Sequence, residues 1–376
     1  MNDEKIVIVG GGLVGLFTAY HLLKLGYKNI TIIDRKYIGY GASNRGTGGL
    51  LHIFEDEDLA KLACLSVNIW KNLDEEIAEK PRPIPLRTGG HLHVATSKEG
   101  LNKLNKLKKI LRRTCGVGEI LTPPEVKEKA PIIDEDEIYG ALYDPLGSKV
   151  LQPGVVRIFE FYFKLRGLKL MKYNPAKNFK VEGNKVKAVI TEHGEVEADK
   201  VVIAAGAFTK DLACRLDERI PLCTFRGEEA LTEGLHYEFE PFITFVENNF
   251  EFTQTWPRGE FIMGISNTGI GEPAYDLRAS LSVLEKIAEY TCRYFPKICL
   301  VNVLRQWAGV VDVTPDNIPI ISKSGKYENL WYAAGFGTGG ITLSAGAGKA
   351  LAEMVAYGST KTIPVEKFSI ERFIFE

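Results

Sequence analysis

The chain has 376 residues, of which 45% are hydrophobic, 25% charged and 10% aromatic, and Lys+Arg 47 against Asp+Glu 48 leave a formal net charge of −1. That apolar fraction excludes a disordered polymer, and the near-zero charge excludes nucleic-acid binding by bulk electrostatics. The length predicts one large domain or two interleaved ones.

Lys5-Ile6-Val7-Ile8-Val9 is a short apolar, β-branched run, the pattern of a buried parallel strand. The preceding residues carry no signal-peptide pattern, and no run of about 18 apolar residues predicts a membrane span, so the chain is expected to be cytoplasmic. Gly10-Gly11-Gly12-Leu13-Val14-Gly15 follows the strand at once. The periodicity then predicts a helix over 16–25 ending at Gly26, and a second strand over 29–33 stopping at Asp34. This is a strand, a GxGxxG turn, a helix and a strand, with an acid about twenty residues downstream. Gly10 permits the tight turn, Gly12 lets a pyrophosphate approach the backbone, and Gly15 lets helix and strand pack closely. The helix N-terminus faces the phosphate charge, and Asp34 is placed to accept ribose hydroxyls. The pattern predicts a dinucleotide and does not by itself separate FAD from NAD.

A glycine-rich stretch over 38–49 comes next, with Ser43 and Arg45 available as anion contacts. His52 is polar among Leu50-Leu51 and Ile53-Phe54. It reads as a core histidine or as a pocket acid or base. His91 and His93 share a strand face without a completing ligand, so no metal site is expected. Leu101, Leu104, Leu107 and Leu111 stripe an amphipathic helix whose outer face is basic (Lys103, Lys106, Lys108, Lys109, Arg112, Arg113). That face reads as solvated, or as a peripheral membrane or partner contact. Residues 184–198 read as a strand pair feeding an apolar strand over 200–205, which ends in the small residues Ala205-Gly206 suited to a close cofactor. A strand over 220–225 precedes Arg226-Gly227. Strands over 242–266 turn near Asn248-Asn249 and Arg258-Gly259, and a helix is striped by Leu284, Ile287, Ala288, Thr291 and Phe295. A strand over 330–334 enters Gly335-Phe336-Gly337-Thr338-Gly339-Gly340, and a small-residue helix over 343–356 follows. That is a second glycine-rich helix start and a second positive dipole end. Cys64, Cys115, Cys214, Cys223, Cys292 and Cys299 form no CxxC or zinc spacing and are read mostly as buried free thiols. Glutamine occurs only at positions 152, 254 and 306, a composition in keeping with a thermophilic source.

Taken in order, Gly10 to Gly15, Gly41-Ala42-Ser43, Arg87-Thr88-Gly89-Gly90, Gly140-Ala141-Leu142-Tyr143-Asp144-Pro145, Ala204-Ala205-Gly206-Ala207, Arg226-Gly227, Trp307-Ala308-Gly309 with Thr314-Pro315-Asp316, and Ala334-Gly335 resemble the D-amino-acid oxidase family of FAD-dependent oxidoreductases. That family includes glycine oxidase, sarcosine oxidase and amino-acid and proline dehydrogenases. The resemblance spans essentially the whole chain. It implies an α/β protein in which a Rossmann-like FAD-binding domain (1–80, 146–217 and 305–376) is interleaved with an α+β substrate domain built on an antiparallel sheet (81–145 and 218–304). It implies noncovalent FAD contacted by Gly10, Gly12, Leu13, Val14, Gly15, Asp34, Arg35, Ala42, Ser43, Arg45, Gly48 and Gly49. Further contacts are implied at Ala205, Gly206, Trp307, Gly309, Gly335, Gly337, Thr338, Gly339, Gly340, Ile341 and Thr342.

The implied reaction is oxidation of a CH–NH bond of an amino acid or secondary amine by hydride transfer to flavin N5. The electron acceptor is left open among oxygen, a quinone and another flavoprotein subunit, as is a homo- or hetero-oligomer. The alternatives are an FAD-linked 2-hydroxyacid or glycerol-phosphate dehydrogenase, and a flavin subunit relaying electrons in a larger complex. A substrate carboxylate needs a cation. The family's pocket arginine falls on Val311 and its lysine before the last helix on Thr342, while the cysteine that carries covalent flavin falls near Gly309. The remaining cations are Arg45, Arg226, Arg258 and Arg305. Arg226, after the 220–225 strand, is taken as the carboxylate ligand and His52 as a second substrate contact, with Trp256 and Phe252 as an apolar wall.

Overall fold

The computed structural model describes residues 3–271 and 276–373. Residues 1–2 and 374–376 of the expected FAD-binding range, and residues 272–275 of the expected substrate range, lie outside it.

Ile6–Val9 is buried along its whole length and pairs in parallel with Ile30–Ile33 on one side and Lys200–Ile203 on the other. The sheet extends to Lys169–Met171 beyond Ile30–Ile33 and to Leu330–Ala334 beyond Lys200–Ile203. Ile320–Lys323, antiparallel, makes its sixth strand. Strands this apolar need cover on both faces. One face carries the helices Leu13–Lys24, Glu57–Glu76, Gln152–Leu165 and Gly340–Tyr357 around Phe17, Trp70 and Phe159. The other packs on the small antiparallel sheet Ala176–Glu182, Lys185–Thr191 and Gly194–Glu197 and on the helix Thr209–Cys214.

The first helix begins at Leu13 rather than at residue 16, directly on the glycine turn, and the last begins at Gly340 rather than at 343. They cross closely, because Gly348 has no side chain: a Cβ there would meet Phe17 Cβ at 2.5 Å.

The second large element is an eight-stranded sheet in the order Val303–Val313, Cys223–Gly234, Glu260–Ile265, Phe250–Gln254, Phe242–Phe245, His91–Ala95, Gly140–Asp144 and Glu119–Leu121. It is antiparallel except where Phe242–Phe245 runs parallel to His91–Ala95. One face is apolar: Phe245, Phe250, Phe252 and Phe261 stack with Tyr294 and Phe295 at the end of the helix Leu281–Tyr294. Phe252, expected in a pocket wall, is therefore core. The expected break at 304–305 falls inside Val303–Val313, which is hydrogen-bonded in register to Cys223–Gly234. The basic helix Lys98–Cys115 buries Leu104, Leu107 and Leu111 and leaves its charges outside.

The cysteine reading needs correction. The structure joins Cys64 to Cys115 and Cys292 to Cys299, while Cys214 and Cys223 are free and exposed. Neither pair has a diagnostic spacing, since helix packing in three dimensions brings Cys64 and Cys115 together.

Candidate cofactor and substrate site

Every glycine of the opening turn is there for space. Gly10 adopts φ +115°, and a Cβ on it would lie 2.1 Å from Ala204 O, the end of the neighbouring strand. A Cβ on Gly15 would lie 2.1 Å from Gly10 O, so helix and turn touch backbone to backbone. Gly12, the N-cap, offers no side-chain cap to the helix Leu13–Lys24. Leu13, whose side chain is buried, donates its N–H to Ser43 Oγ at 3.0 Å, which brings the second glycine-rich loop onto the first helix. Val14 follows in the same first turn. Gly340–Tyr357 also starts without a side-chain cap, behind a turn of Gly337–Gly339 that holds Thr338. A Cβ on Gly337 would meet nothing within 4 Å. Two uncapped glycine starts on crossing helices form the cradle that a bulky anionic dinucleotide requires, so the residues fit such a group.

Asp34 folds back to accept from Gly11 N at 2.9 Å and Lys36 N at 2.8 Å. Burial pushes its pKa up, although both backbone donors pull it down. The Arg35 guanidinium lies 4.2 Å from the Phe208 ring centroid, in the turn Gly206–Phe208 that follows Ala205. The structure therefore brings the Asp34 end of the second strand beside the small-residue end of the Lys200–Ile203 strand.

The loop through Ala42–Asn44 to Gly49 is fixed at several points. Arg45 Nε donates to Tyr40 O and its Nη1 to Ala308 O, and Trp307 Nε1 donates to Arg45 O at 2.8 Å. A Cβ on Gly309 would come within 3.2 Å of Arg45 Cβ. Gly309 thus marks the crossing of loop and strand. Gly48 at φ +96° passes against Val150 O, and Gly49 pairs with Lys149. Thr342 is not a pocket residue of the lysine type. It is buried, accepts from Leu51 N at 3.0 Å and donates to Gly49 O, while the preceding Ile341 carbonyl accepts from Trp70 Nε1. Gly335 at φ +80° donates its N–H to Asp312 Oδ2, and burial raises the pKa of that carboxyl.

The register of the eight-stranded sheet decides which side chains face this loop, because directly paired residues share a face. Trp307, Glu229, Gly264, Glu251, Thr244 and His93 pair in succession across the sheet. Gly227 and Gly309 lie on the same face. Gly264 leaves a gap between the two acids: a Cβ there would meet Glu229 Cγ at 3.0 Å and Thr47 Cγ2 at 3.2 Å. Thr47, from the loop, donates its hydroxyl to Glu251 Oε2. Burial and the neighbouring Glu251 raise the pKa of Glu229 well above the ordinary carboxylate range, with Arg45 opposing. Burial also raises that of Glu251. Glu229 Oε2 is shielded from solvent and has no hydrogen-bond partner among the described residues.

Arg226 does not reach this face. The strand expected to stop at 225 continues through Gly234, and alternation puts Arg226 with Glu228 on the side of the helix Leu281–Tyr294. There its Nη2 donates to Asp276 O at 3.0 Å, with the Asp276 carboxylate 3.6 Å away, and Glu228 holds Ser280 N and Gln306 Nε2. His52 has the surroundings of the core-histidine reading. It is buried, with Nδ1 2.7 Å from Asp144 Oδ2. Burial pushes Asp144 up, but the hydrogen bond and charge of His52 prevail and hold its pKa below the usual range. Arg258 is mostly exposed and pairs with Glu260, and Arg305 stacks over Trp307 at the sheet edge. Trp256 lies instead against Arg87 and Lys149. Among the cations weighed from the sequence, Arg45 is the one whose charge acts on Glu229, from its place in the loop. Among the described residues no group of His, Cys, Asp and Glu could hold a metal, and no helix is long and apolar enough to cross a membrane.

The mostly parallel sheet, the two glycine-started helices and the roofing sheet define an FAD-dependent oxidoreductase. The model of the FAD dependent oxidoreductase family, DAO, matches residues 5–354, and the chain belongs to that family. It is 28% identical to sarcosine oxidase subunit beta of an Arthrobacter species, over 99% of this chain and 91% of that one. L-proline dehydrogenase from P. horikoshii superimposes with a TM-score of 0.89 at 28% identity, covering 99% of this chain and 98% of that one. Glycine oxidase from Geobacillus kaustophilus shares the fold, with a TM-score of 0.89 at 23% identity over the whole of both chains.

Proposed function

We propose that this chain oxidises the CH–NH bond of a small secondary amine or amino acid. When bound, FAD supplies the hydride acceptor. The chain's residues hold the dinucleotide across the Gly10–Gly15 turn, the 42–49 loop and the Gly335–Gly340 turn, and the six-stranded sheet serves as the cofactor half with the eight-stranded sheet as the substrate half. The observation that carries this reading is whole-length similarity to a sarcosine oxidase subunit and to a proline dehydrogenase, both of which act on secondary amines by their names. Arg45 replaces Arg226 as the proposed partner of a substrate carboxylate, because it lies in the loop over the Glu229 face, which Arg226 does not reach. Binding of FAD is noncovalent in this reading, supported by Gly309 at the crossing point of loop and strand. Acid precipitation should release yellow FAD into the supernatant, and colour retained in the pellet would refute it. A cytoplasmic, heat-adapted setting is carried by composition alone.

The deciding experiment is anaerobic: holoenzyme mixed with sarcosine, proline, glycine, D-amino acids, 2-hydroxyacids and glycerol phosphate. Bleaching of the yellow absorbance by an amine supports the reading, and bleaching only by hydroxyacids or glycerol phosphate sinks it. A second reading, a flavin-bearing subunit of a hetero-oligomer, is favoured by the beta-subunit relative and by the exposed Leu281, Leu300 and Leu304. It requires that the isolated chain stay yellow with every amine and bleach once a partner subunit is added.

A further inference from the structure

Two adjacent acids on one strand have opposite fates. Glu228 faces the helix side and is fully engaged by Ser280 and Gln306. Glu229 faces the loop and leaves Oε2 shielded and unpaired. It is matched across the side-chain-free Gly264 by Glu251, whose Oε2 takes a single donor from Thr47. A shielded carboxylate oxygen without a donor costs free energy unless something else supplies one. A fold that needed only packing at this place would carry an apolar residue on the strand. The sheet instead brings two carboxyls towards the one residue that makes room for both, directly under the loop that crosses at Arg45 and Gly309.

We infer that Glu229 and Glu251 together form the subsite for the positively charged nitrogen of the substrate. This deepens the amine reading and rests on it. The two carboxyls repel each other across Gly264, and a cation between them relieves that repulsion, which is what an ammonium supplies. The Arg45 charge opposes that of Glu229 from the loop, where its guanidinium donates to Tyr40 O and Ala308 O. An occupant bearing both an ammonium and a carboxylate then has a partner for each end: the acids for nitrogen, Arg45 for the carboxylate. A 2-hydroxyacid offers no cation and leaves the acids unmatched. The pair is therefore a selectivity device against the hydroxy analogues of the same shape, since an unmatched buried charge is rejected more strongly than a missing methylene.

The test uses FAD-loaded full-length chain and two non-reacting ligands of the same shape: trimethylammonioacetate, and tert-butylacetate, which lacks the positive charge. Binding is read from the shift each causes in the flavin absorption spectrum, independently of turnover. The wild type should bind the zwitterion at least about tenfold more tightly than its isostere without the positive charge, and Glu251→Gln or Glu229→Gln should weaken the zwitterion by about thirtyfold or more while changing the isostere little. Flavin content and melting temperature of the two variants are measured alongside, and either variant that keeps flavin suffices. A wild type with no preference for the zwitterion, or a preference that survives in both variants, overturns the assignment. If the wild-type flavin is bleached by amines and yet shows no such preference, only this assignment falls. If no amine bleaches it, the functional reading falls first.

Discussion

Gly15→Ala is the sharpest probe of the cofactor cradle. Gly15 sits inside the helix Leu13–Lys24 with an ordinary helical backbone, so an alanine there meets no conformational strain. Alanine even gains helix propensity, by about 1 kcal/mol. The whole penalty is steric. The added Cβ would lie 2.1 Å from Gly10 O and 3.3 Å from Ile8 Cγ2, and the nearer contact is backbone on backbone with no side chain to swing aside. Overpacking of this kind costs about 1–3 kcal/mol. The propensity gain offsets part of that cost in the apoprotein, so thermal stability should move little. The cheapest relief tilts the helix start away from the turn, which displaces the N–H groups proposed to meet the pyrophosphate. Charged to the bound state alone, the same cost weakens FAD by roughly 5- to 150-fold. Titrating apoprotein with FAD and following fluorescence quenching gives the dissociation constant. Gly26→Ala is the control: φ is +92° but nothing lies within 4 Å, so it should lose about 1 kcal/mol of stability and no FAD affinity. An unchanged FAD affinity in Gly15→Ala would refute the cradle as described.

Arg226→Ala should leave flavin content and the kcat/KM ratio between carboxylate and carboxylate-free amines within about twofold, with a stability loss near 1 kcal/mol for a partly exposed pair with Asp276; selective loss on carboxylate substrates would return Arg226 to the pocket. His52→Ala leaves the Asp144 carboxylate buried without its partner and should cost about 3–5 kcal/mol in urea unfolding. A variant of normal stability with a shifted kcat–pH profile would make His52 a pocket acid or base instead. Burial lowers the pKa of His21, His91 and His93 to about 4, 3 and 4. The unfolded chain takes up these protons near pH 6.5 and the native chain only near pH 3–4, so stability should fall as pH drops below about 6.5, by up to about 1.4 kcal/mol per unit for each histidine. Unfolding free energies that stay flat between about pH 7 and 5 would contradict it.

The cofactor half was legible in the sequence because its constraints are local. Gly10, Gly12, Gly15 and Asp34 lie within one strand–helix–strand unit, where spacing alone fixes geometry, and the small residues at 205–206 and 335–340 announce close approach. The roof was not legible, because its facing depends on register. Arg226 and Gly227 read as the end of a strand, and a glycine there suggests a break. The structure runs the strand on through Gly234, since the Val303–Val313 partner holds it, and one residue of alternation moves Arg226 to the far side. The same alternation that hid Arg226 hid Glu229 and Glu251. Their signal was present as charged residues inside otherwise apolar strand patterns, but it becomes specific only when Gly264 is known to pair with both. Asp312 and the Cys64–Cys115 pair were equally out of reach, joined to their partners through three-dimensional packing and not through spacing.

The close crossing of the helices Leu13–Lys24 and Gly340–Tyr357 at Gly348 and Phe17 has a consequence for the order of synthesis. The glycine turn leaves the ribosome well before the helix that completes the cradle, which is made more than three hundred residues later. Closing so long a loop adds little to the equilibrium cost, which grows only with the logarithm of length. Its effect is on timing: until that helix is made, Phe17, Trp70 and their neighbours lack the cover it provides, a period of exposed apolar surface. Shortening the chain before residue 340 should therefore leave a species that neither retains FAD nor stays dispersed, even though every glycine of the opening turn is intact.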